Sequence, residues 1–561
     1  MSFSSSQRQP TDEVFKESAG LCVSIDLLLD STVASSHTQV PSIPHKNGVQ
    51  NLLQICDQGI EQLQQDIQTK QTSLSQLSRR RVALASLVSV FARLPKEIFV
   101  MILNEAANGP YFGYPPDGKE LVLYSHVCTY WRVIVNGTPR LWNRLHISCG
   151  HSESSINCVS HREVLGSILS RSHSLSLTLT MMVGDKVPTD LLRVLGQAQH
   201  RIESLALYLS SFHLLEYLPP SSGFTSLANL KISPRNFYYN PKGMCITLNK
   251  PLDFSQVGTL RNVKLKILQI SRCQMPWASL TAVSLYTEEN PTILRDIIVQ
   301  CSKAEELHVR MLTPWREDEM DGLGWAEPSG YYDVWLEPEE IDEPVVLPSL
   351  RTFTVCFEIL ADSPPHGPCI FSSAPLFQPL TLPSLEEFEM YGPDSCADVY
   401  AWSHDATKEF ARRSFSSLKT LTITQIVVEC DELLEILALC PLVTSFKSTG
   451  MRLDMNTFCK ALIPSSSPTM PLLPRLEVLD IDAYPDAYNS CQLERSFICL
   501  MQERWCQAPR NSSDHSAARL KTVHLVNMTA EIDGSNHVSS QVRSKLTQYA
   551  REGLEVEFNG W

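Results

Sequence analysis

The spacing of apolar residues changes three times along this chain, and each spacing predicts a different element. Between residues 50 and 92, Ile60, Leu63, Ile67, Leu74, Leu77, Leu84, Val88 and Phe91 recur at three- and four-residue intervals, with no proline and a single glycine, Gly59. That period predicts one amphipathic helix or coiled coil. Lys70 and Arg81 interrupt its apolar seam, which runs for about four heptads. Such a helix either packs against its own chain or pairs with a second copy. Residues 1–48 are rich in Ser, Gln, Thr and Pro and predict a disordered tail.

Residues 93–148 predict a small helical module. Pro95 suits the first turn of a helix, where its missing N–H would have no partner. Glu97 favours the positive end of the same helix. Ile98, Phe99, Ile102 and Leu103 supply its apolar face, and Asn108-Gly109-Pro110 stops it. Tyr111–Lys119 predicts a loop. Leu121, Tyr124, Val127, Cys128, Trp131 and Val135 then place a second helix over Glu120–Val135, ended by Asn136-Gly137.

After residue 150 the pattern becomes alternating. Strands are predicted at Ser174–Thr180, Ile202–Leu209, Leu227–Ile232, Leu280–Tyr286, Ala304–Val309, Leu350–Cys356, Leu385–Met390, Leu418–Thr424, Leu476–Ile481 and Leu520–Val526. Several open on one phrase: Leu347-Pro348-Ser349-Leu350, Leu382-Pro383-Ser384-Leu385, Phe415-Ser416-Ser417-Leu418 and Leu473-Pro474-Arg475-Leu476. Helices are predicted at Asp190–Ala198, Pro291–Cys301 and Asp431–Cys440. Strand plus helix, repeated with a Leu-x-x-Leu-x-Leu rhythm, predicts α/β repeats in an irregular leucine-rich-repeat-like solenoid over 150–561. Two stretches, 313–344 and 363–382, are too long for ordinary connections and predict insertions.

Composition narrows the function. The 561 residues carry a net charge of -14, which argues against a nucleic-acid partner. Eleven acidic residues and no Lys or Arg lie between Glu317 and Glu343, interleaved with Trp325, Tyr331, Tyr332 and Trp335. That stretch is either a flap for a basic partner or a solvated insertion. The 17 cysteines are scattered singly and form no CxxC pair, which predicts reduced thiols and no zinc site. No secretory signal and no long apolar run is evident, so a membrane association is not expected and a cytoplasmic or nuclear location is. No phosphate loop, nucleophile elbow or HExxH motif occurs, and no catalytic residue, cofactor or metal is expected.

The ordered set Leu94-Pro95-x-Glu97-Ile98, Val127-Cys128-x-x-Trp131-Arg132 and Pro139-x-Leu141-Trp142 resembles an F-box. Leu169-Ser170-Arg171-Ser172 and the alternating leucines that follow resemble a segment of the expanded F-box families of mushroom-forming fungi, in which a heptad-like helix also precedes the box. The resemblance implies a Skp-type adaptor bound through Leu94, Pro95, Glu97, Ile98, Ile102, Val127, Cys128 and Trp131. Through that adaptor it implies a cullin ligase, with the repeats binding a target protein. The chain would then be a substrate receptor and not itself an enzyme. A repeat scaffold with a vestigial F-box is the alternative.

Overall fold

The computed structural model describes residues 43–88, 94–106, 111–113, 120–149, 158–184, 193, 196–210, 215, 218, 220–234, 251–267, 269–287, 289, 291–314, 344–360, 374–392, 403–426, 428–451, 454–464, 471–483, 490–507, 517–526 and 540–559. They fall into two compact units, Met1–Leu94 and Pro95–Trp561.

Among its described residues the first unit holds one 46-residue helix, α1 (Ile43–Val88). It takes in Ile43–Gly48, which the sequence assigns to the disordered tail; residues 1–42 and Phe91 lie outside the described residues. Leu53, Ile60, Ile67 and Leu74 follow one another at intervals of seven, as do Cys56, Leu63, Lys70, Leu77 and Leu84. Three or four residues separate the two series, so both fall on one stripe. All seven apolar members are exposed, from 53% at Ile60 to 70% at Leu74.

The second unit starts with three helices, α2 (Lys96–Ala106), α3 (Glu120–Val127) and α4 (Thr129–Asn136). The single helix expected over Glu120–Val135 is broken at Cys128, whose backbone is extended at φ -158 and ψ 173. The break re-aims the chain: Arg132 N–H donates to Cys128 carbonyl at 3.0 Å, and Arg132 Nε reaches across to Ser125 carbonyl at 2.9 Å. A helical period runs through such a kink unchanged, so periodicity alone does not reveal it. Gly137 closes α4, its N–H donating to Val133 carbonyl at 2.9 Å, and a Cβ there would lie 2.8 Å from that same oxygen.

The rest is a 15-stranded sheet, all parallel, with the strands in chain order. Numbered along it, the strands are β1 (Tyr111–Gly113), β2 (Arg144–Cys149), β3 (Leu177–Val183), β4 (Ile202–Leu209), β5 (Asn229–Pro234), β6 (Asn262–Lys266), β7 (Ala282–Thr287), β8 (Glu306–Pro314), β9 (Thr352–Leu360), β10 (Glu387–Tyr391), β11 (Thr420–Thr424), β12 (Ser445–Met451), β13 (Val478–Ala483), β14 (Thr522–Val526) and β15 (Glu555–Asn559). Helices follow many of them: α5 (Cys158–Arg171), α6 (Pro291–Gln300), α7 (Ala374–Phe377), α8 (His404–Ser414), α9 (Cys430–Leu437), α10 (Met455–Leu462), α11 (Ser490–Met501) and α12 (Ser540–Arg551). From α6 onward each helix packs on the next.

The Leu-x-x-Leu phrase is a turn that launches a strand. Leu350 N–H donates to Leu347 carbonyl, Leu385 to Leu382, Leu418 to Phe415 and Leu476 to Leu473. Both apolar positions of each turn are buried. The residue after the second leucine then offers its carbonyl to two N–H groups of the next repeat: Arg351 to Glu386 and Glu387, Glu386 to Lys419 and Thr420, Lys419 to Thr444 and Ser445. The same turn occurs with other apolar residues, as in Cys301–Ala304 and Cys440–Val443.

Register then stacks one inward position into a continuous column: Leu145, Leu179, Leu205, Leu230, Val263, Val283, Leu307, Phe353, Phe388, Leu421, Phe446, Leu479 and Val523. Every member is buried. A one-residue slip in any strand would turn its part of the column outward, so burial of the column holds the register. Phe377 stacks on Phe410 at 4.9 Å, behind Phe353 and Phe388. Leu376 and Phe377 are fully buried although they lie in the 363–382 stretch predicted as an insertion. Of the 313–344 stretch, Thr313 and Pro314 complete β8, Pro344 is described, and 315–343 lie outside the described residues.

Arginines tie turns of successive repeats together. Arg201 Nη2 donates to Ser172 Oγ at 2.7 Å and to Leu175 carbonyl at 3.0 Å. Arg413 Nη2 donates to Gln378 carbonyl at 2.8 Å. Arg504 is fully buried and donates to the carbonyls of Leu462, Leu473 and Leu472 at 3.1, 2.9 and 2.5 Å.

Candidate functional site

Helix α2 carries two apolar faces with opposite fates. Phe99 and Leu103, one turn apart, are buried. Phe99 meets the Trp131 ring edge to face at 4.7 Å, and Trp131 meets Tyr124 at 5.9 Å. Trp142 closes this core from the Pro139–Trp142 turn: its Nε1 donates to Val135 carbonyl at 2.7 Å, and the Arg171 guanidinium lies 4.5 Å over its ring. Ile98, Met101 and Ile102 occupy the other face and are exposed. Helices α3 and α4 add Val122, Leu123, Val127, Tyr130 and Val133, so that eight large apolar residues between 98 and 133 are exposed, from 40% at Tyr130 to 66% at Val133. Elsewhere among the described residues of the Pro95–Trp561 unit only Met182, Ile293 and Val346 are exposed large apolar residues. Exposed apolar groups concentrated in this way mark a surface built to be covered.

Residues 91–148 match the F-box-like family model. The chain carries an F-box-like domain. A comparison with curated proteins finds no match.

The residues expected to bind an adaptor divide between the surface and the core of the F-box-like domain. Ile98, Ile102 and Val127 are exposed apolar side chains. Pro95 and Glu97 are exposed at the start of α2, where Pro95 carbonyl accepts the Phe99 N–H at 3.1 Å. Leu94 is half-buried. Cys128 is half-buried at the kink between α3 and α4. Trp131 is half-buried and packed against the core, so it organises the helices behind the exposed face. Met101, Val122, Leu123, Tyr130 and Val133 are exposed as well and were not among the expected residues. Met101 had a signal, lying one helical turn from Ile98, and so had Val133, two residues from Trp131 and therefore on the opposite side of α4.

The charged side chains exposed on α2 and α4 are Lys96, Glu97, Glu105 and Arg132, two of each sign. Among the described residues no group of three His, Cys, Asp or Glu side chains is placed to hold a metal ion. No described helix is long and apolar enough to cross a membrane.

Proposed function

We propose that the F-box-like domain docks a Skp-type adaptor and that the chain serves as the substrate receptor of a Skp–cullin–F-box ubiquitin ligase. F-box domains typically bind such adaptors, and the observation that carries the reading is the concentration of exposed Ile98, Met101, Ile102, Val122, Leu123, Val127, Tyr130 and Val133 on this one domain. Covering a fully exposed side chain of this kind stabilises a complex by roughly 1.5–3 kcal/mol before the costs of association. A handful of central anchors is therefore enough for firm docking. The parallel sheet is read as an irregular leucine-rich-repeat solenoid whose outward side chains hold the target. Ubiquitin transfer belongs to enzymes recruited through the cullin, and this chain supplies proximity.

The test is capture of a Skp-type adaptor by the full chain, with cullin co-captured, against Ile98→Asp with Met101→Asp. Capture by the wild type and loss in the double variant supports docking. Adaptor capture without cullin favours a scaffold outside a ligase. Equal capture by both chains overturns the reading.

A second copy of the chain is the proposed partner of α1. Its exposed heptad stripe is self-complementary when two copies run antiparallel, with Leu53 facing Leu84, Ile60 facing Leu77 and Leu63 facing Leu74. In that register Asp57 faces Arg80, a pair of opposite charges, and Ile67 faces Lys70 at the centre.

A further inference from the structure

The outward face of the sheet is electrically uneven. In a chain with a net charge of -14, four cations gather on β5, β6 and β8: Lys231, Lys264, Lys266 and Arg310. Lys231 and Lys264 are register partners on adjacent strands. Lys266 follows two residues along β6, on the same face, and Arg310 shares its row two strands away, with Tyr286 as the register partner of both. Three of the four cations lie over aromatic rings. Lys231 Nζ donates to Tyr208 Oη at 2.6 Å and lies 4.8 Å over that ring. Lys266 and Arg310 lie 5.4 and 5.6 Å from the Tyr286 ring.

Two carboxylates oppose them. Glu358 pairs with Arg310 at 2.6 Å and accepts the Tyr286 hydroxyl at 2.7 Å. Glu306, at the start of β8, lines the trough that lies beside the group, as Lys231 and Lys264 do. Burial holds the Lys266 ammonium below its ordinary value, and the nearby charges of Arg310, Lys264 and Lys231 lower it further.

Beside them lies a trough of about 250 Å³, lined on its outward side by Ser204, Asn229, Asn262, Lys264, Ser284 and His308 among others. Small side chains make it shallow. Asn262 Nδ2 donates to Asn229 Oδ1 at 2.6 Å, so the two amides form a rung across adjacent strands. Beyond it, Glu358, Glu387 and Glu389 make the next strands acidic.

We propose that this trough binds an extended acidic segment of a partner polypeptide, with two spaced carboxylates on the Lys231, Lys264, Lys266 and Arg310 group and its backbone along the asparagine rung. The inference rests on the reading of the sheet as the receptor surface. The cations occupy two rows and span four strands, a spread that suits two carboxylates better than one compact dianion. A nucleic acid does not fit, because a polyanion running past the trough meets Glu358, Glu387 and Glu389. Those same glutamates orient the peptide, since its acidic end is repelled from β9 and β10.

The test uses the immobilised full chain and a fluorescent pool of degenerate nine-residue peptides with a central Glu-x-Glu. Matched pools carry Gln-x-Gln or one central phosphoserine, and a single-stranded RNA oligonucleotide serves as a fourth probe. The Glu-x-Glu pool is expected to be retained about ten-fold better than the Gln-x-Gln pool, and Lys264→Glu with Lys266→Glu should abolish the difference. The milder Lys264→Gln should reduce it, and Lys521→Glu, a charge reversal on a distant exposed lysine, should leave it intact. Equal retention of the two pools overturns the proposal, as does stronger retention of phosphoserine peptides or RNA. Adaptor capture is measured on the same chains: if it persists while peptide selection fails, only this inference falls, and if it is absent from the wild type, the receptor reading falls.

Discussion

Phe99 on α2 and Trp131 on α4 meet edge to face with ring centroids 4.7 Å apart. Phe99 is fully buried, and its neighbours along the helix, Ile98 and Met101, are 44% and 63% exposed. The helix thus divides its work between holding the domain together and presenting a surface. Phe99→Ala should destabilise the domain by about 3 to 5 kcal/mol through the lost contacts and the cavity left behind. Met101→Ala should change stability by less than about 0.5 kcal/mol. Urea unfolding of the two variants, followed by tryptophan fluorescence, checks the contrast.

Arg504 offers a test inside the repeats. Its guanidinium is fully buried and serves three carbonyls, those of Leu462, Leu472 and Leu473. Burial lowers its pKa to about 10, so the charge is retained at neutral pH because the carbonyls solvate it. Arg504→Met keeps most of the volume but leaves those carbonyls without their donor. A loss of about 3 kcal/mol or more is expected, read as a lower urea midpoint.

Asp454 caps α10 and gives the pH dependence a sign. Its carboxylate accepts from the Thr457 hydroxyl at 2.5 Å and from the N–H groups of Asn456 and Thr457 at 3.1 and 3.3 Å. These bonds, the Thr457 hydroxyl foremost, hold its pKa below the ordinary 3.8. A folded value below the unfolded one means the stabilisation is complete above 3.8 and is lost as pH falls through the folded value. Asp454→Ala should cost about 1 kcal/mol at pH 7. The gap between wild type and variant should stay constant down to about pH 5 and narrow below about pH 4, as measured by urea midpoints at each pH.

The stripe on α1 makes a prediction about assembly. Light scattering behind size exclusion should find the wild type at twice the mass of Leu63→Glu with Leu74→Glu, since the two substitutions place charges in facing layers of the antiparallel pair. Equal masses would remove the second copy from the reading.

What was legible in the sequence follows from which constraints are local. Ten strands announced themselves by alternation, because one buried face and one wet face leave a period of two. β12 did not: Ser445-Phe446-Lys447-Ser448-Thr449 has Phe446 as its one large apolar residue, and Ser448 sits buried where neighbouring strands place Ile423 and Ile481. Its turn was equally masked, with Cys440 and Val443 in place of leucines. β6 was missed because Val257 and Leu260 carry its turn in an atypical phrase, although Asn262–Lys266 alternates cleanly. In the F-box-like domain the start of α2 was readable from Pro95 and Glu97. The division of Val127 from Trp131, one outward and one toward the core, was not, because four residues apart they would share a face of an unbroken helix, and no residue type demands the extended backbone at Cys128 that parts them.

The most direct test is the affinity of the full chain for a purified Skp-type adaptor, measured by calorimetry for the wild type and for Ile98→Asp with Met101→Asp. Docking through the exposed face predicts tight binding by the wild type and a loss of at least about a hundred-fold in the variant, which should unfold at the same urea concentration as the wild type. Equal affinities for the two chains, or no binding by the wild type, would contradict it.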